Sequence, residues 1–170
     1  MAMRFHPYLG IATVAAVFLW MTGASAQNAA LRPIPAAECQ TFAGQLQGAL
    51  GFAAKAEEDD FTDLTDRSEG RSCHISASAS NQAFGAPAEL ISKLAPVFGG
   101  WQDDPARAES GPAEADKGFV NGSRIATVEV SWEPGPGASC SDKQPLSACN
   151  ITPQQKLWNV MVDIVEKGGK

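Results

Sequence analysis

The sequence predicts an α+β fold: an antiparallel sheet of about four to five strands with two helices packed on one face, closed by two disulfides. Three observations predict it. Two stretches space their apolar residues at helical period and end in glycine. Three others alternate apolar and polar residues as half-buried strands do, one of them entered through an Asn-Gly turn pair. Four cysteines supply the staples.

The first 26 residues read as an address. Arg4 precedes the apolar run Tyr8 to Met21, and Ala24-Ser25-Ala26 supplies the small-x-small pattern of a signal-peptide cleavage site. The run is too short and wrongly flanked for a membrane span, and no cysteine follows the site to take a lipid anchor. Cleavage before Gln27 leaves 144 of the 170 residues. Residues 27–35, rich in Pro and Ala, are expected to be a flexible leader, and residues 36–170 a single α+β domain. With Arg4 gone, 12 of the 13 Lys and Arg remain against 19 Asp and Glu, a net charge of −7. Phosphate-rich partners would be repelled, so neither nucleic acid nor an anionic membrane is expected as a partner. The Ala-rich, Lys-poor composition points to a Gram-negative bacterial export, placed in the periplasm or secreted.

From Ala36 the apolar positions Cys39, Phe42, Ala43, Leu46, Ala49 and Leu50 form the stripe of an amphipathic helix, which Gly51 can end. Residues 71–80 alternate, with Cys73, Ile75, Ala77 and Ala79 on one face and Ser72, His74, Ser76 and Ser78 on the other. Residues 52–64 could pair with that strand through a turn at 66–70. Pro87 sits at a first helical position ahead of Leu90, Ile91, Leu94, Val97 and Phe98, with Pro96 expected to kink or end the helix. Residues 101–116 are rich in Asp, Ala, Gly and Pro and are expected to be an irregular connection. Asn121-Gly122 then suits a type I′ hairpin turn. Residues 125–132 alternate, Ala126, Val128, Val130 and Trp132 against Ile125, Thr127, Glu129 and Ser131, until Pro134 and Pro136 stop them. A last strand, 156–166, sets Trp158, Val160, Val162 and Ile164 on one face. Its β-branched content favours a strand over a helix. Both halves begin with a helix and continue into a hairpin, without residue-level self-similarity.

Four cysteines in an oxidising compartment read as two disulfides. Cys140 and Cys149 flank a short Pro/Ser/Lys segment and are the local pair, leaving Cys39 with Cys73, each on an apolar face. None of the spacings is that of a zinc knuckle or a C-x-x-C redox motif.

Motifs for catalysis are sparse. His74 is the one histidine after cleavage and reads as a solvated-face residue. No G-x-S-x-G motif accompanies it. The acidic run Glu57-Glu58-Asp59-Asp60 lacks the order of a calcium loop and reads as a wet turn or strand edge. Trp132 and Trp158 read as core, and Trp101 either caps the core or anchors a partner. The sequons at Asn121 and Asn150 carry no weight in a bacterial export. No catalytic residue, metal ligand or cofactor is assigned.

The reading that results is an exported periplasmic interaction protein without catalytic activity. It would bind another protein or a cell-envelope component, in one form as a hydrolase inhibitor, since a rigid loop binds with less ordering cost. Trp101, Lys143 and Leu146 are the candidate binding residues. The alternative is a small-molecule carrier with a pocket between helices and sheet, lined by Phe42, Leu94 and Val160. A carboxylate-dependent hydrolase ranks third.

Overall fold

The computed structural model describes residues 30–138, 140 and 145–168. The expected signal peptide 1–26, the start of the leader and Lys143 lie outside the described residues. The fold is α+β, a mixed seven-strand sheet with two helices and two disulfides. Strand β1 (Leu31–Pro33) leads into helix α1 (Ala36–Leu50), the hairpin β2 (Ala54–Thr62) and β3 (Glu69–Ala79), and helix α2 (Pro87–Leu94). A 3₁₀ turn (Ala95–Phe98) follows, then β4 (Gln102–Ser110), β5 (Glu114–Asn121), β6 (Arg124–Pro134) and, after a long loop, β7 (Lys156–Lys167). Strand order is β2-β3-β1-β7-β6-β5-β4, antiparallel except where β1 runs parallel to β3, and beyond the short β1 the strands β3 and β7 pair directly.

Helix and strand periods place the main core on one face. Cys39, Ala43, Leu46 and Leu50 of α1 and Leu90, Ile91 and Leu94 of α2 are buried. They meet Cys73, Ile75, Val128, Val130, Trp158, Val160 and Val162 of the sheet in one cluster. Gly51 ends α1 in the left-handed region at φ +83°, its N–H donating to Gln47 O. α2 starts with Pro87 and gives way to the 3₁₀ turn before Pro96. Between helices and sheet, Phe98 stacks on Phe119 at 4.6 Å, and Phe84 meets Trp158 edge-on at 5.6 Å. Lys156 lies over the rings of Trp132 and Trp158, where burial pulls its pKa down.

Three elements differ from the sequence reading. Leu31–Pro33, inside the stretch expected to be a flexible leader, form β1, with Leu31 and Ile34 buried. Gly70 makes this possible, because a Cβ there would stand 2.1 Å from Leu31 O. Three residues are too few to show a period. Residues 101–116, expected to be irregular, contain β4 and the start of β5. β4 is an edge strand with only Asp104 and Arg107 not fully exposed, so its sequence has no apolar face to announce it. The β2–β3 hairpin is the one expected from the sequence, and β1 and β4 bring the expected four or five strands to seven. Third, the turn is shifted by one residue. Asn121 pairs with Arg124, leaving Gly122-Ser123 as the loop, and only Gly122 has a positive φ, +62°, the arrangement that type II′ prefers.

Cys39 of α1 bonds Cys73 of β3 with Cα atoms 5.8 Å apart, and Cys140 bonds Cys149 across 5.6 Å. Both pairings follow the expected connectivity. They are consistent with an oxidising, extracytoplasmic compartment. None of the described helices is long and apolar enough to cross a membrane. Chain entropy makes the bridges unequal, since they close loops of different length. Urea unfolding of the Cys39→Ala/Cys73→Ala variant should show a loss of roughly 4 kcal/mol, against roughly 2.5 kcal/mol for Cys140→Ala/Cys149→Ala.

Candidate functional site

The helices cover one face of the sheet and leave the other open. On β3, β7, β6 and β5 every second residue points to this open face; the side chains there are mostly polar, except at one end, where Leu31, Ile125 and Val165 bury a second, small apolar cluster with Phe61 and Val120 against it. Register brings them side by side: His74 and Thr127 flank Asp163, while Met161, Glu129, Asp116 and Glu109 line up across four neighbouring strands.

The open face is a trough. β2 and β4 are the two edges of the sheet, five strand-to-strand steps apart through β3, β7, β6 and β5. A flat sheet would separate them by about 24 Å. Yet Arg107 of β4 donates Nη2 to Asp63 Oδ2, at the end of β2, and Nη1 to Asp104. The sheet curls until its edges clasp over the open face. Two local features deliver the partners. In β4 the residues 105–108 stand opposite the single residue Lys117, a large bulge that lifts Arg107 off the sheet. Gly118 lies beneath it, where a Cβ would come within 2.6 Å of the Arg107 Cβ. At the other edge, Asp63 opens the tight turn to β3. Its N–H donates to Ser68 O at 2.8 Å, and its Oδ1 accepts the Thr65 N–H at 2.9 Å. Asp66 in the same turn accepts from Lys167 at 2.5 Å and from Ser68, which hold its carboxyl far below the usual carboxylate range.

Asp63 is 1 % exposed, so its charge depends on Arg107 and on Lys167 at 3.9 Å. Burial pulls the Arg107 pKa down, and the bonds to the two aspartates more than offset it. Below the clasp lies a cavity of about 350 Å³ whose walls include Phe61, Leu64, Arg107, Asp116, Glu129 and Met161. Leu64 stands at its rim, 80 % exposed. Oxygens of Glu114, Asp116 and Glu129 lie within 4.8 Å of one another. Burial, then Glu114 and Glu109, push the Asp116 carboxyl up; burial, then Asp116, Glu114 and Asp163, push Glu129 up. Asp116 Oδ1 is buried without a hydrogen-bond partner. Such an all-oxygen anionic set suits hard cations or hydrogen-bond donors rather than soft metals.

His74 departs from the solvated-face expectation. Its side chain is 16 % exposed, with Nδ1 3.0 Å from Asp163 Oδ1, and buried Ser72 donates its hydroxyl to that same oxygen at 2.6 Å. A nucleophilic relay needs the serine on the imidazole, and here it is on the carboxylate. The acidic run lies along edge strand β2, with Lys55 paired to Glu57 and Arg71 of β3 paired to Glu58 and Asp60.

Of the sequence-derived binding residues, Trp101 and Leu146 are among the described ones. Trp101 packs edge-on against Phe42 and Phe98 on the covered side, the core-cap arrangement. Leu146, 38 % exposed, belongs to the loop that leaves β6 at Pro134 and returns at Lys156. Trp101 precedes β4 at the other end of β6, about 30 Å along the strand. Leu94 and Val160, proposed to line a carrier pocket, are packed in the core, with Phe42 against them. The sequence assigns no role to Asp63, which follows the acidic run, nor to Asp104, Arg107, Glu114 or Asp116; Glu129 and Asp163 lie on the readable outward faces of β6 and β7.

The fold and this face define a disulfide-bonded α+β protein with a curved, open, acidic sheet face. No family model, curated protein or solved structure matches the chain.

Two outcomes test the electrostatics. Arg107→Met, which strands the buried Asp63 charge, should cost about 3 kcal/mol in chemical denaturation, and adding Asp63→Asn should restore much of it. Asp116→Asn should raise stability near neutral pH. A carboxyl whose pKa is raised by folding binds more protons folded than unfolded, so its ionisation penalises the native state as pH climbs through the folded-state value. The gain should therefore vanish below about pH 4, where the carboxyl is protonated in both states.

Proposed function

We propose that the chain is an exported binding protein of the bacterial periplasm or medium that captures a protein or cell-envelope component on its open sheet face, without catalysing a reaction. The observation that carries this reading is the trough itself: seven strands curl around a mostly polar face that no helix covers, and a buried clasp holds its two edges together. A disulfide-stapled, preshaped face binds with little ordering cost. The net charge argues against nucleic acid and anionic lipid as partners. Inhibition of a basic hydrolase is one form that such capture could take.

Asp116 and Glu129, two adjacent carboxyls pushed up in pKa, support a second reading as a carboxylate-dependent hydrolase, whose acid must stay protonated. Chromogenic glycoside and ester substrates turned over by the natural chain but not by Glu129→Gln would favour it.

Photo-cross-linking in the natural periplasm separates the surfaces. A benzophenone side chain replacing Met161 on the open face should trap a defined partner, whereas one replacing Ser92 on the outer side of α2 should not. Adducts only from Ser92, or only from Leu146 in the disulfide loop, would move the binding surface elsewhere and overturn the reading.

A further inference from the structure

We propose that the open face docks a basic loop of a partner protein, with one arginine or lysine side chain inserted below the Arg107–Asp63 clasp against Asp116 and Glu129. The inference rests on the binding-protein reading and names the partner's chemistry.

Carboxylates predominate at the β4–β6 side of the face, and the cations elsewhere on it are already paired, Lys55 with Glu57, Lys167 with Asp66 and Arg107 with Asp63 and Asp104. Glu109, Asp116 and Glu129 occupy one register across β4, β5 and β6, and Glu114 lies beside them. Among the described residues no ion pair involves any of the four. The guanidinium nearest to them, that of Arg107, is committed to Asp63 and Asp104. Like charges on directly opposed strand positions repel, and folding alone does not relieve them. A cation delivered from outside would relieve them, and would give Asp116 Oδ1 the donor that it lacks.

The walls specify how that cation is carried. Phe61, Leu64 and Met161 offer apolar surface beside the carboxylates. A methylene stem ending in a guanidinium or ammonium matches this pairing of walls, because such side chains lay their stems on apolar surface while the head meets charge. The volume, about 350 Å³, is at the lower end of ligand pockets and suits one side chain rather than a folded element. Leu64, exposed at the rim, and the further carboxylates Glu57 and Asp59 on the same face of β2 extend the contact beyond the cavity, which a loop can use and a single small amine cannot. Long-range attraction between the negative chain and a positive partner would speed the encounter.

The test is an amide-resolved NMR titration of the mature, oxidised protein with the capped peptide acetyl-Gly-Arg-Leu-Arg-Gly-amide, its Glu-for-Arg counterpart, and spermine. The arginine peptide should shift amides of residues 114–118, 127–131 and 161–163, and the glutamate peptide should not. The Asp116→Asn/Glu129→Gln variant, its fold checked by the same spectrum, should bind the arginine peptide about tenfold more weakly, as for one lost charge-assisted hydrogen bond. Equal binding of both peptides, shifts confined to other surfaces, or no binding would overturn the proposal. Spermine binding as tightly as the arginine peptide, with the same loss in the variant, would overturn the protein-loop occupant in favour of a free polyamine. If these fail while the Met161 cross-link persists, the binding-protein reading stands with a partner of different chemistry.

Discussion

Everything in this molecule hangs on the pairing of β7 with both β3 and β6. The first half of the chain makes α1 and the β2–β3 hairpin; the second makes α2 and the β4–β5–β6 meander. β7 joins them, matching Ile164, Val162 and Val160 to Cys73, Ile75 and Ala77 on one side and to Ala126, Val128 and Val130 on the other. Its covered face is buried without interruption from Trp158 to Ile164. Without that strand neither half has enough apolar surface facing it to hold its helix, and the helix layer, the Cys39–Cys73 bridge and the trough all presuppose a continuous sheet. Salt links such as Arg124 with Glu38, 2.5 Å apart, tie helix α1 to the far half only once β7 has brought the halves together.

The same pairing sets the chemistry of the open face. Side chains two residues apart on β7 alternate with those buried beneath the helices, so a strand chosen for an apolar covered face necessarily presents Asn159, Met161 and Asp163 outward. What β6 and β5 set beside them is under no core constraint, and there the chain carries Glu129 and Asp116. Curling the sheet brings these acids into a partly desolvated hollow, where burial and mutual repulsion favour the protonated carboxyl. The cost of holding them there is offset by the covered face, whose packing owes nothing to the open one.

Legibility in the sequence follows from this division. α1, β3, β6 and β7 each bury one face, so period 3.6 or 2 is written into their residues; those periods put the sulfurs of Cys39 and Cys73 on apolar faces, while Cys140 and Cys149 pair by closeness along the chain. β4 and β1 bury almost nothing or are too short, so no pattern marks them. The candidate site divides in the same way. Glu129 and Asp163 lie on the outward side of strands that could be read; Arg107 and Asp63 are 44 residues apart, in a bulge and a turn, and meet only because the whole sheet curls. Trp101 drew attention as an aromatic beside glycines, yet composition cannot tell a ring that faces a partner from one that faces Phe42 and Phe98.

The two rims of the trough share a further property. β2 sets Glu57, Glu58, Asp59 and Asp60 along its free edge, and β4 interrupts its own with Pro105 and a bulge. A strand from another molecule would meet like charge at one rim and a broken row of donors at the other. Bare sheet edges are templates for further strands; this sheet is poorly suited to recruit its own copies, and at high concentration the hollow between its rims stays open for contact with something other than itself.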